Sequence, residues 1–212
     1  MDLTYSDAKP IAIFLAVILT MYVLNVCSYA YFRNTTATNY EFYWPEESKL
    51  RRVKTHLQEN GWVDERVTDE ELDYICLLAK HLSSYYDIFP WKLALATIAQ
   101  ESKFYQYDEY DEALGLMQLL PYYHRERLIQ CLEEDERYSD ELFYDPRLNV
   151  MTGLDYLSQL INECDGDICY ALMCYNQGPS SAYKTYKRSG ITSNYAKNIA
   201  ALQSELGAIV LS

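Results

Sequence analysis

The chain is poor in basic residues and in strand-forming patterns. It carries 18 Lys and Arg against 31 Asp and Glu, which gives a formal net charge of −13 over 212 residues. Acid clusters at 108–112 and 133–136 do not follow a phosphate backbone, so nucleic acid is not expected as a partner. The sequence has no internal repeat and no low-complexity tract. Hydrophobic residues make up 50% of the chain, which is enough for a packed core.

Helical patterns fill most of the sequence beyond residue 45. Thr68 and Glu71 form a capping-box pattern, in which two side chains satisfy free backbone amides at a helix start. Apolar residues then follow at helical spacing, and Asp145-Pro146 marks another helix start. The sequence therefore predicts a mainly α domain. The predicted helices are 46–60, 68–82, 90–102, 122–134, 145–161, 167–175, 180–187 and 193–206.

One long apolar run precedes these helices, at residues 11–32. It contains no charged residue, and about 20 such residues span a bilayer core. Tyr29, Tyr31 and Phe32 lie where an interfacial aromatic belt would fall. We expect a tail at 1–10, a single transmembrane helix at 11–32, a stalk at 33–66 and a domain at 67–207. A cleavable signal peptide is the alternative, because Ser28-Tyr29-Ala30 offers a small-x-small cleavage site.

The six cysteines do not form a metal-binding pattern. No paired spacing and no nearby histidines accompany them, so a zinc site is not expected. Cys164 and Cys169 flank a short turn and could form a disulfide across it. Cys174 occupies a packed helix position and is expected to be a buried thiol.

Glu101 is the strongest candidate for chemistry. It ends the apolar segment 93–99, and an apolar wall disfavours the charged carboxylate and raises its pKa. A carboxyl group still protonated near neutrality can donate its proton to a leaving oxygen, as glycosidases require. The alternative is an ordinary exposed glutamate on a helix surface.

Five short motifs follow one another in the order E-S-x-F, G-L-M-Q, D-P-x-x-N, Y-N-x-G-P and Y-A-x-N-I. They begin at Glu101, Gly115, Asp145, Tyr175 and Tyr195. This order resembles the catalytic domain of the soluble lytic transglycosylase family, within the lysozyme-like superfamily, over about residues 68–206. Agreement across five motifs is far more specific than any one of them.

The resemblance implies a lysozyme-like α+β fold, with helices around a groove and little sheet. It also implies cleavage of the β-1,4 bond between N-acetylmuramic acid and N-acetylglucosamine in peptidoglycan glycan strands, without a cofactor or a metal. Glu101 would first act as the acid and then, ionised, take the proton of the sugar's C6 hydroxyl, which gives a 1,6-anhydro product. Met117 could instead be core packing, and Asn176 a helix cap. The substrate-binding residues implied are Met117, Gln118, Tyr175, Asn176 and Tyr195.

The loop before G-L-M-Q departs from the family pattern. Acidic residues at 108–112 replace the usual serine and Gly-Ala pair, and they could place a second carboxylate near the groove. Hydrolysis in the manner of goose-type lysozymes, which share the fold, is therefore an alternative activity. A non-catalytic scaffold or a wall-binding module is the other alternative. A wall substrate requires the domain to lie outside the membrane, whereas Arg33, Lys49 and Arg51 after the apolar run favour the opposite orientation.

Overall fold

Helices dominate the part of the chain that a computed structural model describes, residues 47–86 and 91–211. Eight α-helices lie within these two ranges, so the predicted mainly α domain is confirmed. The predicted tail, the transmembrane helix at 11–32 and the first part of the stalk lie outside them. No helix in the described ranges is both long and apolar enough to cross a bilayer. The helices are α1 (Glu47–Glu59), α2 (Asp69–Tyr85), α3 (Lys92–Ser102), α4 (Pro121–Ile129), α5 (Pro146–Glu163), α6 (Ile168–Gln177), α7 (Pro179–Ala182) and α8 (Asn194–Leu211).

The predicted helix starts are built as their sequence signals indicate. At the start of α2, the Glu71 amide donates to Thr68 Oγ1 at 3.2 Å, and the Thr68 amide donates to Glu71 Oε2 at 2.8 Å. At the start of α5, the Asp145 side chain accepts from the Leu148 amide at 2.9 Å. These contacts satisfy amides that have no partner within their own helix.

Helix α3 forms the centre of the core. Its residues 93–99 are all buried, and α8 packs beside it. Helix α1 also packs against α8, and its Val53 and Leu57 have no exposed surface. The packed unit therefore begins before residue 67, and α1 belongs to it although the sequence placed this helix in the stalk. Burial of two large side chains in this way stabilises the fold by roughly 2–3 kcal/mol for each.

A two-residue hairpin occupies the acidic loop. Strands β1 (Glu109–Tyr110) and β2 (Ala113–Leu114) pair antiparallel, with Tyr110 opposite Ala113. Asp111 and Glu112 both have positive φ, 51° and 67°, as a type I′ turn requires. This hairpin is the only sheet in the described ranges, so the fold keeps just a remnant of β structure.

The segment after α6 is less regular than predicted. Gly178 ends α6 with φ 78° and ψ 152°, a conformation that favours glycine, and Pro179 starts α7. The helix predicted at 180–187 is divided into α7 and a π-helical turn at Tyr183–Arg188. The Gln177 side chain donates to Thr185 Oγ1 at 2.8 Å, which fastens this turn to α6.

All five cysteines in the described ranges are free thiols. The disulfide considered between Cys164 and Cys169 is not formed. Cys164 Sγ lies 3.9 Å from Cys174 Sγ instead, because α5 and α6 pack against each other there. Cys174 is buried, as predicted.

Candidate active site

Glu101 lies in the last turn of α3, next to the buried core. The helix ends at Ser102, and the next residue, Lys103, adopts a left-handed conformation with φ 50°. Burial raises the pKa of Glu101, and the hydrogen bond from Tyr195 lowers it by a smaller amount. The net result is a pKa of about 7. The apolar sequence before Glu101 thus has the predicted effect, because the charged carboxylate loses solvation there. Near neutral pH the carboxyl group exists in both protonation states.

The two oxygens of Glu101 have different surroundings. Oε1 accepts a hydrogen bond from the Tyr195 hydroxyl, which comes from the start of α8. Oε2 makes no hydrogen bond with any residue in 47–86 or 91–211. Glu101 Oε2 is not among the fully buried atoms without a partner, a set that in those ranges contains Gln100 Oε1 alone. One oxygen therefore orients the carboxyl group, and the other is open to a substrate.

Tyr175 lies beside the acid and is fixed by the G-L-M-Q segment. Its hydroxyl donates to the Met117 carbonyl oxygen at 2.8 Å. Burial raises the pKa of Tyr175 well above its ordinary value, and the negative charge of Glu101 raises it further. Tyr175 thus remains a neutral hydrogen-bond donor, and the structure brings Glu101, Tyr175 and Tyr195 together.

Met117 contributes its backbone rather than its side chain to this arrangement. The side chain has no exposed surface and lies against Gly153 in α5. A Cβ atom at Gly153 would overlap the Met117 sulfur, so the two positions fit only as a pair. The Met117 side chain is thus packed in the core, which was the alternative to substrate contact. Its contact with a substrate stays a prediction.

Asn149 holds the G-L-M-Q segment in place. It is completely buried, and its Oδ1 accepts from the Met117 amide at 2.8 Å. Its Nδ2 donates to the Leu114 and Phe143 carbonyl oxygens at 2.9 and 2.7 Å. Gly115 has φ 77°, and a Cβ atom there would overlap the Phe143 carbonyl. The sequence placed Asn149 in a motif without assigning this role.

Ser102 and Gln118 also have structural partners. Ser102 Oγ donates to the Leu116 carbonyl at 2.9 Å, so it ties the end of α3 to the G-L-M-Q segment. Gln118 Nε2 donates to the carbonyl oxygens of Gly115 and Asp108 at 2.9 and 3.1 Å. Gln118 Oε1 has no hydrogen-bond partner among residues 47–86 and 91–211, and its contact with a sugar remains a prediction.

Asn176 is not joined to the other site residues. It is exposed on α6, next to Tyr175, and its side chain makes no hydrogen bond within the described ranges. The helix is ended by Gly178, so Asn176 does not act as its cap. Its role in substrate binding stays a prediction.

The acidic hairpin does not place a charge against Glu101. None of the described carboxylates shifts the pKa of Glu101, which depends on burial and Tyr195. Burial raises the pKa of Asp108, and the positive charge of Arg66 opposes this rise. Glu109 accepts a hydrogen bond from the Tyr144 hydroxyl at 3.0 Å. The second carboxylate that the sequence allowed near the acid is therefore not found beside it.

Two aromatic side chains near Tyr175 were missed from the sequence. The ring of Tyr156 on α5 lies 5.4 Å from that of Tyr175, and the ring of His124 on α4 lies 4.6 Å from that of Tyr156. Tyr156 falls outside the apolar stripe of its helix, so the helical spacing of the sequence did not single it out.

Comparison with known proteins supports the order of motifs. A family model described as the Transglycosylase SLT domain matches residues 83–198. The structure of an inactive mutant of lytic transglycosylase Slt from Pseudomonas aeruginosa matches with a TM-score of 0.55 and 21% sequence identity. That match covers 62% of this chain and 24% of the Slt chain, so this chain spans less than a quarter of that protein's length. At this identity the likeness concerns the fold.

Proposed function

The chain belongs to the transglycosylase SLT domain family, as its motifs predicted, and on this basis we propose that it is a peptidoglycan lytic transglycosylase. The observation that carries the proposal is the asymmetric carboxyl group of Glu101. Its pKa is about 7, one oxygen is bound by Tyr195, and the other is open. A group with a pKa near the working pH can act in turn as acid and base.

The first step is proton donation by Glu101. The neutral carboxyl group gives its proton from Oε2 to the glycosidic oxygen as the bond between C1 of N-acetylmuramic acid and that oxygen breaks. The leaving N-acetylglucosamine takes the proton as its hydroxyl group. The Tyr195 hydrogen bond stabilises the carboxylate that remains, since a hydrogen bond to a charged acceptor is stronger than one to a neutral acceptor.

The second step closes the sugar on itself. The Glu101 carboxylate removes the proton of the C6 hydroxyl, and O6 forms a bond to C1, which gives the 1,6-anhydro end and returns Glu101 to its acid form. The nucleophile belongs to the same sugar, so its high effective concentration replaces a positioned water. Two findings favour this course over hydrolysis: no described carboxylate shifts the pKa of Glu101, and the acidic residues Asp108 and Glu109 interact with Arg66 and Tyr144 respectively.

We further propose that residues 11–32 anchor the domain to the outer face of the cytoplasmic membrane. The length and charge-free character of this run support an anchor. Protease added to intact cells stripped of their wall is expected to remove the domain beyond about residue 33. A protected domain would refute this orientation, and a soluble form starting near Tyr31 would identify a cleaved signal peptide.

Digestion of purified peptidoglycan tests the activity. The wild-type chain is expected to release muropeptides lighter by one water than hydrolytic products, as measured by mass spectrometry. Glu101→Gln should reduce the rate by about 10²-fold or more. Glu112→Gln, the same change at an exposed hairpin residue, is the matched control and should retain full activity. Reducing N-acetylmuramic ends would instead identify a muramidase, and an inactive wild type would favour the scaffold or binding alternative.

A further inference from the structure

A row of three aromatic rings leads away from the acid. Tyr175 lies close enough to Glu101 for the carboxylate charge to act on it. The ring of Tyr156 follows at 5.4 Å, and the ring of His124 follows at 4.6 Å from Tyr156, with an angle of 60° between their planes. The three residues come from α6, α5 and α4 respectively. The three helices pack in that order, so the row of rings runs from Tyr175, which is next to Glu101, to His124.

The outer two side chains keep their polar atoms available. Neither ring nitrogen of His124 makes a hydrogen bond within residues 47–86 and 91–211, and the same holds for the Tyr156 hydroxyl. None of these atoms belongs to the buried unpartnered set, which in those ranges contains Gln100 Oε1. Both side chains are partly buried, and their polar atoms remain available for a ligand. Such atoms can exchange water for a ligand without breaking a protein hydrogen bond.

The charge state of His124 restricts the kind of ligand. Burial and, to a smaller extent, the neighbouring Arg127 guanidinium lower the pKa of His124 to about 4, so the imidazole is neutral near pH 7. A neutral imidazole has one N–H donor and one acceptor nitrogen. Arg127, whose guanidinium lies 5.5 Å from the Tyr156 ring centre, is itself bound to Asp155 and Gln159. This end of the row is thus suited to an uncharged polar group rather than to a carboxylate.

An acetamido group fits these surroundings. Its methyl group can pack on an aromatic ring, and its carbonyl oxygen can accept from an imidazole N–H. We propose that His124 and Tyr156 form a binding site for the acetamido group of a sugar next to the one cleaved at Glu101. This assignment rests on the proposed function, because it takes the glycan strand as the ligand. His124 is then a specificity residue that does not touch the reacting atoms.

Binding to an inactive chain tests the assignment without turnover. The full chain with Glu101→Gln is compared with the Glu101→Gln/His124→Ala double variant. Each is titrated with isolated glycan strands, either N-acetylated or chemically de-N-acetylated. Loss of the acetyl group should weaken binding about three- to tenfold more in the parent than in the double variant, the size of one hydrogen bond. Effects at other sugars are common to both proteins and cancel in this comparison.

Two further variants separate recognition from folding. His124→Gln keeps an N–H donor and should recover part of the discrimination. His56→Ala changes a histidine on α1 that bonds Glu205, and should leave the discrimination unchanged. In the otherwise native chain, His124→Ala should raise KM with kcat and the pH dependence unaltered. Equal effects of deacetylation on parent and double variant, or a fall in kcat alone, would overturn the assignment.

The test distinguishes this inference from the proposed function. An inactive wild-type chain whose binding still depends on His124 and the acetyl group would refute the lyase activity and leave the sugar site in place. An active wild-type chain whose binding does not depend on His124 and the acetyl group would refute the sugar site and leave the lyase activity in place.

Discussion

The buried carboxyl group of Glu101 predicts that stability and catalysis respond oppositely to one substitution. Burial raises the pKa of Glu101 from an ordinary 4.5 to about 7. In the unfolded chain the group ionises near its ordinary value, so the folded state binds the proton more tightly. The resulting stabilisation is complete below the unfolded pKa and is lost as pH rises through the folded pKa.

The size of the effect follows from the two pKa values. At 1.36 kcal/mol for each pKa unit, a rise from 4.5 to about 7 corresponds to about 3 kcal/mol. Glu101→Gln removes the titration and keeps a group that can accept from Tyr195. The stability advantage of the variant over the wild type should therefore rise from zero near about pH 4 to about 3 kcal/mol near about pH 8. For a chain of this length, the gain corresponds to a melting temperature higher by about 6–12 °C.

Unfolding of the full chain at a series of pH values measures this difference. Circular dichroism during urea or thermal unfolding gives the free energy for the wild type and for Glu101→Gln. Other titrating groups are shared and cancel between the two curves. The exposed Glu112→Gln change controls for the loss of one negative charge, and its curve should run parallel to the wild type. A parallel curve for Glu101→Gln as well would refute the burial of Glu101 as the cause of its raised pKa.

Three further predictions concern the contacts around the acid. Tyr195→Phe removes the hydroxyl that lowers the pKa of Glu101, so the alkaline limit of kcat/KM should move upward by about one pH unit; a downward shift would contradict this assignment. Asn149→Ala removes three buried hydrogen bonds, although the Leu114 carbonyl keeps its bond from the Leu119 amide, and should lower the free energy of unfolding by about 2–3 kcal/mol, as measured in urea. Gly115→Ala should destabilise the chain more than Gly61→Ala does, because both positions have positive φ but only Gly115 lacks room for a Cβ atom; equal losses of unfolding free energy would argue against the close approach to Phe143.

Features governed by neighbours in sequence could be predicted. The starts of α2 and α5 follow from Thr68 and Asp145, because capping joins residues only three apart. The raised pKa of Glu101 was predicted from the apolar residues before it in the sequence, and burial in the folded chain is its cause. The family motifs also identified Tyr175 and Tyr195 as residues near the acid, and both lie there.

Features governed by contacts between distant residues could not be predicted. The Tyr195 hydroxyl meets Glu101 across 94 residues, and Asn149 reaches Met117 across 32. Hydrophobic spacing indicates which side of a helix is buried, but not which polar atoms meet when helices pack. For the same reason the motif G-L-M-Q did not reveal that Met117 faces Gly153, nor that α1 completes the core.

The hydrogen bond between Tyr195 and Glu101 has a consequence for the time at which the protein becomes active. A ribosome delivers α3 with its acid long before it delivers α8 with the tyrosine, and domains fold as their parts emerge. Until α8 is made, the carboxyl group lacks the partner that orients it, and the core lacks Ile199, Leu202 and Leu206. A chain released early would thus hold every residue of the first motif and still be unable to position its proton. The carboxyl group of Glu101 therefore becomes oriented only when the last helix of the domain is in place.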